Sequence, residues 1–311
     1  MKNIHYIIGA LVLISFACKK HEEVPPPAPD SAALIAFNHE NVAEAKQLFS
    51  VDANSPIFIY GEKGTTLYLG ADALVDTDGN LVTGNVQVEL IEIDKKSEMV
   101  MMNKATMGKV GSNHATLVSQ GEFYVSISQF GTELTLTSPM SLTTPIDGYD
   151  PNMRKFVNIS DEEDLLWEMA DDSLVEIGED TTGLAISYDI LPGEWGWTNL
   201  DKFYSDPRPK TNIYAEMPEG FDNTNTEVYI SYDGESNALA QFDRWIDGRF
   251  TEHYGLIPIG LEVHFIAVGI VGDELHYSIQ PATITDNHVQ DIDDFTAITE
   301  DALVTLIDAL P

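Results

Sequence analysis

Cysteine is nearly missing from this 311-residue chain, and Cys18 is the only one. No disulfide can form within it, so each folded unit depends on its own core. Basic residues are scarce as well: 16 Lys and Arg stand against 51 Asp and Glu, a formal net charge of -35. Of the acids, 33 fall in residues 151–311. Such a surface repels phosphate backbones, which excludes nucleic acid as a partner. It is repelled equally by anionic lipid headgroups. The usual catalytic signatures are missing too: there is no G-x-S-x-G elbow, no phosphate-binding glycine loop and no paired-histidine zinc motif. His39-Glu40 starts like a zinc-protease helix, but the second histidine would have to stand at Ala43. This pattern points away from catalysis, and no cofactor is predicted.

Long hydrophobic runs are absent. The longest, Ile7 to Ala17, would rise about 16 Å as a helix, against roughly 30 Å of bilayer hydrocarbon. It sits behind Lys2 and ends in Ser15-Phe16-Ala17, the layout of a secretory signal over residues 1–17. Cys18 directly after Ala17 resembles the lipobox cysteine of bacterial lipoproteins, although Phe16 is larger than the common pattern. The resemblance implies thioether-linked lipid on Cys18 and a membrane reached only through that anchor. Two or more acyl chains hold a protein stably where one is marginal. Residues 18–30, with Lys19-Lys20-His21-Glu22-Glu23 and then Val24-Pro25-Pro26-Pro27-Ala28-Pro29, read as an extended tether. The expected address is outside the cytoplasm, at the outer membrane or cell surface.

The remainder is expected to be mainly β, with two antiparallel β-sandwich-like domains in tandem between a short N-terminal helix and a C-terminal helix. A helical lead-in is placed at 31–55, with a helix from Ser31 to Phe49 capped by Asp30 or Ser31. A first sandwich is placed at 56–145, from runs such as Ile57 to Tyr60, Thr65 to Leu69, Asn85 to Ile93 and Glu122 to Gln129. Residues 146–210 read as an irregular connector holding a few strands and a Trp cluster. A second sandwich follows at 211–311, with strands at Asn212–Glu216, Thr226–Tyr232, Glu262–Ile270 and Glu274–Ile279. Thr299-Glu300-Asp301 opens the last helix, with Leu303, Leu306, Ile307 and Leu310 on one face.

Two sets of residues could carry chemistry. Asp76, Asp78 and Asn80 offer closely spaced oxygens that suit Ca²⁺. An EF-hand counted from Asp76 would need Gly and Glu where Leu81 and Gln87 stand, and Asp78-Gly79 is equally an ordinary hairpin turn. Asp286, Asn287, Asp291, Asp293 and Asp294 form a second oxygen-rich stretch that reads as well as a solvated loop. Trp195, Trp197, Tyr204 and Trp245 could form a stacking platform for a sugar ring, and Glu194 and Asp201, which flank the first two tryptophans, could mimic a glycosidase carboxylate pair. Large aromatics anchor cores as well, and Gly196 between the two tryptophans suggests a packed corner.

Phe49-Ser50-Val51-Asp52-Ala53, Gly64-Thr65 and Asp78-Gly79-Asn80-Leu81-Val82-Thr83-Gly84-Asn85-Val86 resemble the first domain of uncharacterised surface lipoproteins of Bacteroidota. Gly196-Trp197-Thr198-Asn199-Leu200-Asp201-Lys202-Phe203 and Ile257-Pro258-Ile259-Gly260 are similar to their second half. The resemblance implies architecture and address and carries no activity. The expected function is a non-catalytic, lipid-anchored surface protein for binding, adhesion or assembly, with a protein or glycan partner. The alternative is a glycan-binding or glycan-processing component that uses the Trp195–Asp201 region.

Overall fold

The computed structural model describes residues 28–146, 148, 150–160, 165–171, 174–179 and 183–311. Cys18, the signal and most of the tether lie outside them. Asp30 caps the first helix, α1 (Ser31–Glu44), its carboxylate accepting from the Ala32 and Ala33 N–H groups at 2.9 and 3.1 Å. The helix stops five residues earlier than its sequence suggests. Gln47 to Asp52 has alternating burial and pairs with 85–93, so strand pairing takes the residues that the apolar stripe assigned to the helix.

The first fifteen strands follow in order. They are β1 (Gln47–Asp52), β2 (Ile57–Tyr60), β3 (Thr66–Leu69), β4 (Leu74–Val75) and β5 (Asn85–Ile93). After the short helix α2 (Lys96–Met101) come β6 (Met107–Val110), β7 (Asn113–Gln129), β8 (Thr132–Glu133), β9 (Thr135–Leu136) and β10 (Met140–Pro145). The 146–210 stretch then supplies β11 (Arg154–Asn158), β12 (Trp167–Met169), β13 (Glu176–Glu179), β14 (Leu184–Ile190) and β15 (Gly196–Phe203).

These strands build one sandwich. One sheet runs β1-β5-β7-β15-β11-β12-β6, with β8 on β7, and the other runs β13-β14-β10-β3-β2. The stretch read as a connector therefore contributes to both sheets. Leu67, Leu69, Leu142, Ile186, Val88, Val125, Ile127 and Leu200 fill the space between them. The larger sheet also curls. β6 pairs with both β12 and the start of β7, which closes a ring of five strands around Leu117, Phe156, Leu165 and Trp167. Trp167 is fully buried there and donates its indole N–H to the Ala105 carbonyl at 3.2 Å.

The second sandwich uses β16 (Lys210–Glu216), β17 (Thr226–Tyr232), β18 (Leu239–Gln241), β19 (Arg244–Ile246), β20 (Arg249–Pro258), β21 (Glu262–Val271), β22 (Glu274–Thr283), β23 (His288–Asp291) and β24 (Thr296–Ala297). Its sheets run β19-β20-β16-β23 and β18-β17-β21-β22-β24. Gly272 and Asp273 join β21 to β22 with φ of 58° and 67°, as a two-residue hairpin requires. The last helix, α3 (Glu300–Asp308), buries Leu303 and Ile307 and packs on α2. Leu306, placed on the same apolar face by its spacing, is 41% exposed.

One core joins the second sandwich to all three helices and to the outer face of the larger first sheet. It holds Leu34, Ile91, Ile93, Met101, Val228, Ile266, Val268 and Ile307 together. The N-terminal helix thus packs on the sandwich farther along the chain: Asn38 donates to the Glu227 carboxylate at 2.5 Å, and Asp30 N–H to the Ile270 carbonyl at 2.8 Å. No helix among the described residues is long and apolar enough to cross a membrane.

Candidate functional site

Strand β15 carries the Trp cluster, and pairing with β7 and β11 decides where each side chain goes. Alternation puts Trp197, Asn199 and Asp201 on the outer side of the larger sheet. That side is not open. Trp197 stacks tilted on Tyr124 with ring centroids 5.5 Å apart, and the Lys104 ammonium lies 5.9 Å above its ring. Trp195 packs against the first core and donates its N–H to the Leu134 carbonyl. Trp245, on β19, meets Phe250 edge-on at 4.9 Å. The three tryptophans therefore form no single stacking platform. Asp201 has no exposed surface, and Glu194 accepts from the Lys155 ammonium at 3.0 Å and the Leu191 N–H at 2.7 Å. Neither carboxylate faces an open groove.

The residues around Asp201 form a buried polar cluster that the sequence does not announce. Asn199 donates to Asp201 at 2.6 Å, and Glu122 stands opposite Asn199 across the strands. Glu122, Asn199 and Asp201 are all 0% exposed. Both Glu122 oxygens, Asn199 Oδ1 and Asp201 Oδ1 have no hydrogen-bond partner. Burial first, and then repulsion from Asp201, push the Glu122 carboxyl well above its ordinary range; Lys104 partly offsets this. Burial likewise holds Asp201 high against hydrogen bonds from Ser119 and Asn199. Protonated carboxyls fit this place, because each proton supplies the donor that the bare oxygens lack.

Asp76 is used within its own loop. Its carboxylate accepts from the Asp78 and Asn80 N–H groups at 2.9 and 2.8 Å and from the Asn80 side chain. These bonds hold its pKa below the ordinary carboxylate value. Gly79, at φ 82°, completes the turn. Among the described residues no group of three or more His, Cys, Asp or Glu is arranged to hold a metal ion. Asp286 and Asp293 accept from Thr211 and Gln280, respectively.

Two further polar features lie where the sandwiches meet. The first is a cleft of about 510 Å³. Lys63, bridged to Asp94 at 2.7 Å and Glu98 at 2.5 Å, lines one side, and Lys202, bridged to Asp150 at 2.6 Å, lines another. Its two ammonium groups are thus already matched by carboxylates. The second is a seam in which Tyr254 donates to Asp243 at 2.5 Å and meets His114 Nδ1 at 2.8 Å, with the His253 ring tilted against Tyr254 at 4.1 Å. Burial lowers the His114 pKa, and Asp243 opposes it. Beneath it, burial and then Asp243 raise Glu252 to about 8. This set ties strand β7 of one sandwich to β20 of the other.

No protein-family model matches the chain, and no curated protein is significantly similar to it.

Proposed function

We propose that this chain is a non-catalytic protein of the cell envelope, lipid-anchored through Cys18, whose body binds a partner outside the cell. The observation that carries the reading is the order Lys2, apolar Ile7–Ala17, Cys18 and a Pro-rich stretch ahead of a folded, mainly β body. A body at -35 is repelled by anionic headgroups, so a lipid is the means by which it stays at a membrane. The address and architecture are those of the surface lipoproteins of Bacteroidota that it resembles. Binding rather than processing is supported by Asp201 and Glu194, which are spent on internal contacts.

Fractionation of cells that express the Cys18→Ser variant tests the anchor. The wild-type chain should sediment with membranes and the variant should be released. Continued membrane retention of the variant would overturn the reading.

A further inference from the structure

The outer face of the β13-β14-β10-β3-β2 sheet carries a row of open rings beside a polar depression. Alternation turns Phe58 and Tyr60 of β2 and Tyr68 of β3 away from the core, at 54%, 71% and 44% exposure. Phe58 and Tyr68 stand opposite each other across the strands, with centroids 4.8 Å apart. Further across the sheet, the outward positions change character. Ser141 and Thr143 on β10 come next, then Ser187 and Asp189 on β14, then Glu176 on β13. A depression of about 270 Å³ lies over that side, lined by Ser141, Leu174, Glu176, Ser187 and Asp189. None of the five strands contains a Lys or Arg.

We infer that this face binds an uncharged polysaccharide. The inference rests on reading the chain as a binding protein, and it gives that reading a site and a ligand class. A sugar ring has an apolar face of C–H groups and a rim of hydroxyls. The rings of Phe58, Tyr60 and Tyr68 cover the first, as exposed aromatics do at binding surfaces. Glu176 and Asp189 accept hydroxyl hydrogens of the second in charge-assisted bonds. Ser141, Thr143 and Ser187 are short and half-buried, so the surface between rings and acids stays low enough for a chain to cross it. Phe58 and Tyr60, two residues apart on one strand, lie about 6.8 Å from each other, an extended platform suited to consecutive sugars. The same carboxylates, on strands that carry no Lys or Arg, repel uronic and sulfated polymers.

The test is native affinity electrophoresis of the full chain in non-ionic detergent. The gels contain xyloglucan, mixed-linkage β-glucan, arabinoxylan, galactomannan or amylopectin, with polygalacturonate as the anionic control. At least one neutral polymer should retard the protein, and polygalacturonate should not. Tyr60→Ala with Tyr68→Ala should weaken retardation at least tenfold, as should Glu176→Gln with Asp189→Asn. Trp197→Phe should leave it intact, and the variants at Tyr60, Tyr68, Glu176 and Asp189 should keep a folded, wild-type-like melting transition. Retardation by no neutral polymer, or retardation indifferent to the Tyr60/Tyr68 pair, overturns the inference. So does a dimer in sedimentation that Tyr60→Ala dissolves, since β2 is an edge strand and a second copy would then own this face. Because the detergent-solubilised chain is used, failure here leaves the Cys18→Ser result standing, and the reverse also holds.

Discussion

The described residues form two five-stranded sheets with opposite fates. In the second sandwich the sheet centred on β21 is covered on both sides, and Phe265, Ile266, Ala267 and Val268 are all buried in succession. In the first, the sheet holding β2 and β3 is covered on one side only. Leu67 and Leu69 are buried there while Tyr68 between them is open. What differs is the helices. All three share the core that holds Ile266 and Val268, and α1 reaches it by passing over the first sandwich in sequence. A sheet face left without such a cover is free for a ligand.

The comparison breaks most sharply on a pair of matched charges. Ile266→Asp should cost about 4 kcal/mol or more, because an unpaired carboxylate enters a dry layer. Tyr68→Asp should cost no more than about 1 kcal/mol, the worth of its cross-strand contact with Phe58. Urea unfolding measures both, and similar costs for the two would erase the distinction. Leu34→Ala removes the α1 residue most deeply seated in the shared core and should cost about 2–3 kcal/mol. Native-state hydrogen exchange should then show β17 and β21 losing protection before β3 and β10.

A third experiment asks how the covered side of the larger first sheet responds to pH. Glu122 and Asp201 have folded pKa values well above their unfolded ones, so the folded state keeps protons that the unfolded chain releases. Stability from these groups is full below about pH 4 and drains as pH rises toward the folded values. Glu252, raised to about 8, has the same sign, and its share is lost between about pH 4 and 8. Groups facing Glu122 are Asp201, Lys104 and Glu98. Glu122→Gln should flatten the decline of melting temperature as pH rises above the ordinary carboxylate range, since the amide can donate to Asn199 Oδ1 without a proton from solution. A variant with the wild-type slope would show that Glu122 is ionised when folded. At the seam, Tyr254→Phe loses bonds to Asp243 and His114 and should cost about 1 kcal/mol in urea.

Unbroken runs of alternating or β-branched residues were legible, and Asn85–Ile93 and Thr226–Tyr232 have those bounds in the fold, although Val228 to Tyr232 is buried on both faces. Strand β7 was legible only from Glu122 onward. Its earlier half is buried on both sides, and Gly121, at φ 143°, sits in a bulge against β15, so neither a period of two nor an unbroken run is present. The membership of 154–203 in the first sandwich rests on pairings that no local pattern contains. Around Asp201 the obstacle was charge. Glu122, Lys155 and Asp201 are fully buried, and residues of these types are normally read as solvent-facing. The ring-bearing face was hidden for the opposite reason: Ile57-Phe58-Ile59-Tyr60 is apolar throughout, and nothing in it says which pair points outward.

The bridge between Pro29 and Val271 has a mechanical consequence. If Cys18 is the attachment point, a pull on the body enters at Pro29 and Asp30, where hydrogen bonding passes it directly into β21, a central strand. The load path runs through α1 and the second sandwich. The first sandwich lies beyond it, joined through the shared core. Drag on anything held by Phe58, Tyr60 and Tyr68 would reach the membrane only after crossing the junction between the two bodies, and the His114–Tyr254–Asp243 contacts are among the rivets that such a force would shear.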